Sequence, residues 1–396
     1  MHGQTVADAM IFLVPVRRDR RVSRQTPVMV STTPELSPVG QEAVAAAQRV
    51  ADETLFPNAQ DVDRSDRIPE RNLAALADAG LFGLVGPAAH GGLDLDTRSA
   101  RRAMAAVGSG CGATFFVWVQ HHGVVRALRS SPNDALVDAH LADLCVGRNL
   151  AGTAFAHVRR TGPPAISAMR IDGGWRLDGH APWATSWGVA AWFSVAAESR
   201  DGELVWSLVP GAGADGVTAT ALALPVFGAT ATVALRFDGC VVRDDQVIAV
   251  ESAEQWRRAD RRHASLGQPA VLGVVERARR LLADERDDDA ARAADALAVE
   301  LAVRWGVDDG LADALAGGRD DVTHTVAAAS DHRAACLDLA RRSTTALLAA
   351  VGGRGMDLSH PAQRLAREAD FYVIQAQTTD GRAATLRSVA AATPTD

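Results

Sequence analysis

Lysine is absent from this 396-residue sequence, so all 41 of its basic residues are arginine. Without a lysine amine there is no Schiff-base nucleophile, no attachment point for pyridoxal phosphate and no Walker-type phosphate loop. Cysteine is sparse: Cys111, Cys145, Cys240 and Cys336 stand far apart with no C-x-x-C pair. That spacing indicates neither a metal site nor a disulfide framework and fits a reducing, cytoplasmic setting. Long apolar runs are missing too. The longest near the N-terminus, residues 10–16, is too short to span a bilayer and has no arginine before it, as a signal peptide would require. A cytosolic protein with no membrane span is therefore expected. A basic excess is also lacking: the net charge is -7, so no field draws in a phosphate backbone and no nucleic-acid partner is expected.

What is present is an ordinary globular composition, 47 % hydrophobic and 22 % charged, long enough for two to three folding units at roughly 150 residues each. Residues 1–33 alternate arginine clusters with scattered apolar residues and read as a tail, with Met29 as an alternative start. Residues 34–150 read as helical, with Leu73, Leu76, Ala77 and Leu81 spaced to cover one helix face. Over 151–250 the pattern changes to short runs of Val, Trp, Phe and Thr between Gly, Asp and Pro turns. Residues 175–180, 204–209 and 232–237 are strand candidates there. From 251 to 396 the helical period returns, and Val271, Val274, Val275, Ala278, Leu281 and Leu282 form a stripe. Residues 285–289 and 310–321 read as solvated connections. Helix, then strand, then helix predicts an α+β chain of three domains and argues against a parallel α/β sheet.

Four segments carry a further message. Residues 76–84, Leu-Ala-Asp-Ala-Gly-Leu-Phe-Gly-Leu, are followed by Pro87 and the Gly91-Gly92 pair. Residues 174–179, Gly-Trp-Arg-Leu-Asp-Gly, are followed by Pro182, Trp183 and Thr185. Residues 237–247 read Phe-Asp-Gly-Cys-Val-Val-Arg-Asp-Asp-Gln-Val. Gly352, Gly353 and Gly355 precede Pro361, Arg364 and the Arg367-Glu368-Ala369 triplet. In this order the segments resemble the acyl-CoA dehydrogenase superfamily over residues 40–390. The resemblance implies an N-terminal α-helical domain, a middle β-barrel or sandwich domain and a C-terminal four-helix bundle that pairs as a homodimer or homotetramer. It also implies an FAD cofactor and an acyl thioester substrate on CoA or a carrier protein. The flavin contacts it implies are Thr153, Trp183 and Thr185, the first two 30 residues apart in the chain. An indole offers a flat apolar surface to a tricycle, and threonine hydroxyls serve its polar edge.

The chain departs from the family pattern at several positions. The usual pyrophosphate serine is replaced near Arg159, where a guanidinium could hold a diphosphate bidentately or the Arg159-Arg160 pair could simply be solvated. Asp287, Asp288 and Asp289 replace the Arg-x-x-Phe-Gly segment with which a partner subunit clamps the cofactor. Ala349 replaces the glutamine before the Gly352-Gly353 pair. The family's catalytic glutamate falls at Ala376, between Gln375 and Gln377, and alanine accepts no proton. Asp260 and His263, on the first C-terminal helix, are the candidate substitutes for that base, whereas Glu368 aligns with a structural acid. A flavin monooxygenase branch of the superfamily also lacks the glutamate; His360 with its following arginines, and Trp118 with His121 and His122, look somewhat like that branch. Three functions stay open: a flavin-dependent oxidoreductase on an acyl thioester with a relocated or missing base, a monooxygenase of the same fold, and a non-catalytic paralogue subunit.

Overall fold

The computed structural model describes residues 35–160, 162–317 and 323–391; the expected tail lies outside them. Six helices come first: α1 (Pro38–Val50), α2 (Phe56–Asp63), α3 (Glu70–Asp78), α4 (Thr97–Gly110), α5 (Gly112–Arg129) and α6 (Asp134–Cys145). Their starts follow local chemistry. Ser37 and Asp96 cap α1 and α4 by accepting from the backbone N–H of Gly40 and Ser99, satisfying donors that have no intrahelical partner. Alanines at 43 and 47 keep the inner face of α1 thin, so it packs closely on α4. The Leu76 and Leu81 side chains are buried as their spacing requires.

Eight strands follow: β1 (Ala151–Ala154), β2 (Ile166–Ile171), β3 (Gly174–Ala184), β4 (Trp192–Ser199), β5 (Glu203–Pro210), β6 (Val217–Ala221), β7 (Val233–Arg243) and β8 (Val247–Ser252). They form one sheet in the order β6-β7-β3-β2-β4-β5-β8, with β1 also paired to β4. Most pairs are antiparallel; β1 and β2 each run parallel to β4. The candidates 175–180 and 204–209 fall within β3 and β5, and 232–237 falls in β7 from Val233 on, with Thr232 just before it.

The C-terminal segment holds α7 (Ala253–Ser265), α8 (Ala270–Ala283), α9 (Asp288–Ala316), α10 (Thr323–Val351), α11 (Ala362–Ile374) and α12 (Thr379–Ala391). Val271, Val274, Val275, Ala278 and Leu282 are buried along α8 as the stripe predicts. The C-terminal helical region is as expected and holds six helices among the described residues. Gly267, in the left-handed region at φ +73, and Pro269 after it break one helix into α7 and α8. A second break at 375–378 separates α11 from α12. One expectation is corrected at 310–316, read as a loop: α9 runs through Gly306 and Gly310, where its outer face meets no neighbour. A glycine costs only about 1 kcal/mol in a helix, too little to end one of 29 residues. One apolar core joins residues from all three segments, and all belong to one compact unit.

Candidate functional site

Trp183 is 47 % exposed, although it sits on a central strand among buried neighbours. The pairing of β3 with β7 slips between Ala181 and Ala184, and such a bulge re-aims the side chain it carries. Two residues on, Thr185 is buried in a chain of hydroxyls. Its Oγ1 lies 3.0 Å from that of Thr232, which lies 2.8 Å from that of Thr230; Thr230 in turn donates to the Phe227 carbonyl at 2.7 Å. Each hydroxyl has one proton. Because Thr230 uses its proton on the carbonyl, Thr232 must donate to Thr230 and Thr185 to Thr232. The Thr185 oxygen is left as an acceptor for an N–H.

Thr153, on β1, reaches the same place because Gly152 precedes it. A Cβ at 152 would lie 2.9 Å from the Thr185 carbonyl oxygen and 2.6 Å from the Phe193 ring, so only glycine allows this approach. The Thr153 hydroxyl donates to Gln120 Oε1 of α5 at 2.7 Å. Sequence reasoning missed Gln120, since nothing local marks a lone glutamine 33 residues upstream.

Elsewhere the geometry departs from expectation. Arg159 does not stand free for a diphosphate: its Nε and Nη2 both donate to Asp260 at 2.7 Å. One candidate anion-binding residue and one candidate base thus neutralise each other, joining the loop after β1 to α7. Arg160 has no side-chain partner among the described residues and lines a cleft with His157, Glu198 and Arg257. His263 is exposed, and its Nδ1 lies 2.8 Å from the Ala259 carbonyl. That contact makes Nδ1 the donor and leaves Nε2 as a proton acceptor. Gly352 and Gly353 form an exposed turn after α10, with open space around both. Ala376 has φ +46, and its carbonyl accepts from Arg333.

Trp118, His121 and His122 lie in the helical core, not at an open site. Trp118 and His122 pack edge to face at 4.4 Å, and Phe82 packs on His121 at 5.0 Å. The backbone N–H of Ala151 donates to His121 Nδ1 at 3.2 Å. Burial pushes the His121 pKa down to about 4, and those of His122 and His157 also fall. An unfolded histidine titrates near 6.5, so between that pH and about 4 the unfolded chain binds protons that the folded chain refuses. Stability is therefore full above pH 6.5 and falls as pH drops toward 4. The denaturant midpoint should decrease between pH 7 and pH 5, and less steeply in His122→Phe. Equal slopes in both proteins would show that this ring is not a source of the loss.

Residues 38–148 match the family model for the acyl-CoA dehydrogenase N-terminal domain. Benzylmalonyl-CoA dehydrogenase of Aromatoleum aromaticum is 29 % identical over 226 residues, covering 52 % of this chain and 56 % of the relative. The match thus spans little more than half of that relative. Among solved structures, butyryl-CoA dehydrogenase from Megasphaera elsdenii superposes with a TM-score of 0.75 at 16 % identity, over 90 % of this chain and 99 % of that one. An FAD complex of PigA gives 0.76 at 16 %, over 90 % and 98 %. The domain match over residues 38–148 and the architecture shared with these solved structures show that the chain has the acyl-CoA dehydrogenase fold. No helix among the described residues is long and apolar enough to cross a membrane.

Proposed function

We propose that the chain is a flavin-dependent oxidoreductase that oxidises the carbon–carbon bond next to the carbonyl of an acyl thioester, on CoA or a carrier protein, as a homodimer or homotetramer. The observation that carries this reading is the half-exposed Trp183 indole on its bulge, beside a hydroxyl that can only accept. An apolar ring face next to an N–H acceptor fits the ring of FAD, which would supply the hydride acceptor. Trp183 would cover the ring, the Thr185 oxygen would take an N–H, and Thr153 would border the same edge. Arg160, rather than Arg159, is the guanidinium free to meet a diphosphate. Of the two candidate bases, His263 has its Nε2 without a hydrogen-bond partner among the described residues, while Asp260 has both oxygens held by Arg159.

Trp183→Ala should lower the flavin content of the purified protein at least several-fold, read from the ratio of visible to ultraviolet absorbance. Wild-type occupancy in that variant would put the ring elsewhere. A purified wild type that takes up no FAD at saturating concentration would overturn the oxidoreductase reading and favour a non-catalytic subunit.

A further inference from the structure

Three arginines are buried among the described residues, and two of them face carboxylates: Arg277 meets Asp52, and Arg364 meets Glu368. The third, Arg333 on α10, is 5 % exposed and has no carboxylate partner. Its Nη1 donates to the carbonyls of Ala264 at 3.3 Å and Ala376 at 2.9 Å, and its Nη2 to that of Gln375 at 2.5 Å. These carbonyls end α7 and α11, where helix dipoles bring partial negative charge. Partial charge does not replace a counter-ion, and an unmatched buried charge is costly. Burial and the nearby Arg159 push the Arg333 pKa down to about 10, which still leaves a cation at neutral pH.

Arg333 lines a cleft at the break between α7 and α8, together with Arg101, Gln268, Asp308, Tyr372 and Gln375. The one carboxylate there is already engaged: Asp308 takes two bonds of 2.7 Å from Arg101 and lies 3.5 Å from His332 Nε2. Arg159, behind Arg333, is neutralised by Asp260. Among the described residues the cleft therefore carries one uncompensated positive charge, and the Arg333 Nε–H has no protein acceptor there. It borders position 376, where the resemblance puts a carboxylate base, so the sign of charge at that end of the cleft is inverted.

We infer that the terminal carboxylate of an acyl group docks at this cleft, with Arg333 as its counter-ion. The inference rests on the acyl-thioester reading above and narrows its substrate class. A charge-assisted bond contributes about 1.5 to 3 kcal/mol, which corresponds to about tenfold or more in affinity.

The test is calorimetric binding of glutaryl-CoA and valeryl-CoA to the purified, flavin-loaded protein. Both probes share the CoA phosphates, so their difference reports the terminal carboxylate alone. Glutaryl-CoA should bind at least tenfold more tightly; Arg333→Lys should keep much of that preference and Arg333→Gln should lose it. Should the Arg333 variants fail to fold, Ala376→Glu serves instead, because it brings a carboxylate to Arg333 and should abolish the preference. Equal binding of the two probes to wild type overturns the inference and leaves the acyl-thioester reading standing. Binding of neither overturns both.

Discussion

Glu368→Ala lowers the free energy of unfolding by about 3 to 5 kcal/mol, the range for breaking a buried ion pair by removing one partner. Glu368 and Arg364 are each 2 % exposed and lie one turn apart on α11, with Oε1 accepting from Nη1 at 2.6 Å. The same oxygen accepts from the Gly112 backbone at 3.3 Å, at the start of α5. A Cβ on Gly112 would lie 2.7 Å from the carboxyl carbon, so the glycine exists to let this contact form. Removing the carboxylate strands a guanidinium in the core, where its remaining hydrogen-bond partner among the described residues is Gln60 Oε1 at 2.6 Å. Burial holds the Glu368 pKa above the ordinary value despite the attraction of Arg364. The neutral isostere Glu368→Gln keeps an oxygen for Gly112 and should lose less than alanine does. Urea midpoints at pH 7 decide the matter; a loss below about 1 kcal/mol for alanine would show that the pair is not holding α11 to α5.

The second large effect is catalytic and rests on the proposed function. A positioned general base contributes about 10² to 10⁴ in rate, so a chain with alanine at 376 should be reduced slowly by uncharged acyl-CoAs. Ala376→Glu should speed that reduction. The backbone at 376 already holds a side chain at φ +46, and glutamate adds no new strain at Cβ. Arg333, bonded to the 376 carbonyl, would keep the new carboxylate ionised and weaken it as a base. The gain is therefore expected near the lower end, about 10². The measurement is anaerobic bleaching of the flavin by butyryl-CoA in both proteins at equal flavin loading. Rapid bleaching by the wild type would mean that a base such as His263 already acts there.

Much of this molecule was legible from local pattern. The α8 stripe and the strand runs each declare themselves within a few residues, because helix and strand periods repeat over short distances, whereas the Pro182-Trp183-Thr185 segment stood out only by its family resemblance. Single interior glycines misled at Gly310, since the long-range packing of α9 outweighs their small penalty. The Arg159 and Asp260 pair was hidden for a different reason. Both residues were singled out, for opposite roles, but a pairing across 101 residues has no local sign.

By itself the sequence determined the helix-strand-helix order and the absence of lysine chemistry, since each depends on residue identity and pattern alone, while the carboxylate missing at 376 and the candidate ring residues are what the family resemblance implies. Only the tertiary structure decided which charges are matched. Among the described residues it committed Arg159 to Asp260, left Arg160 without a side-chain partner, used the Thr185 proton within the hydroxyl chain and buried Arg333 against helix ends without a carboxylate. Electrostatic partners are chosen by distance and burial in space. In a chain whose cations are all arginine, composition cannot say which one stays uncompensated.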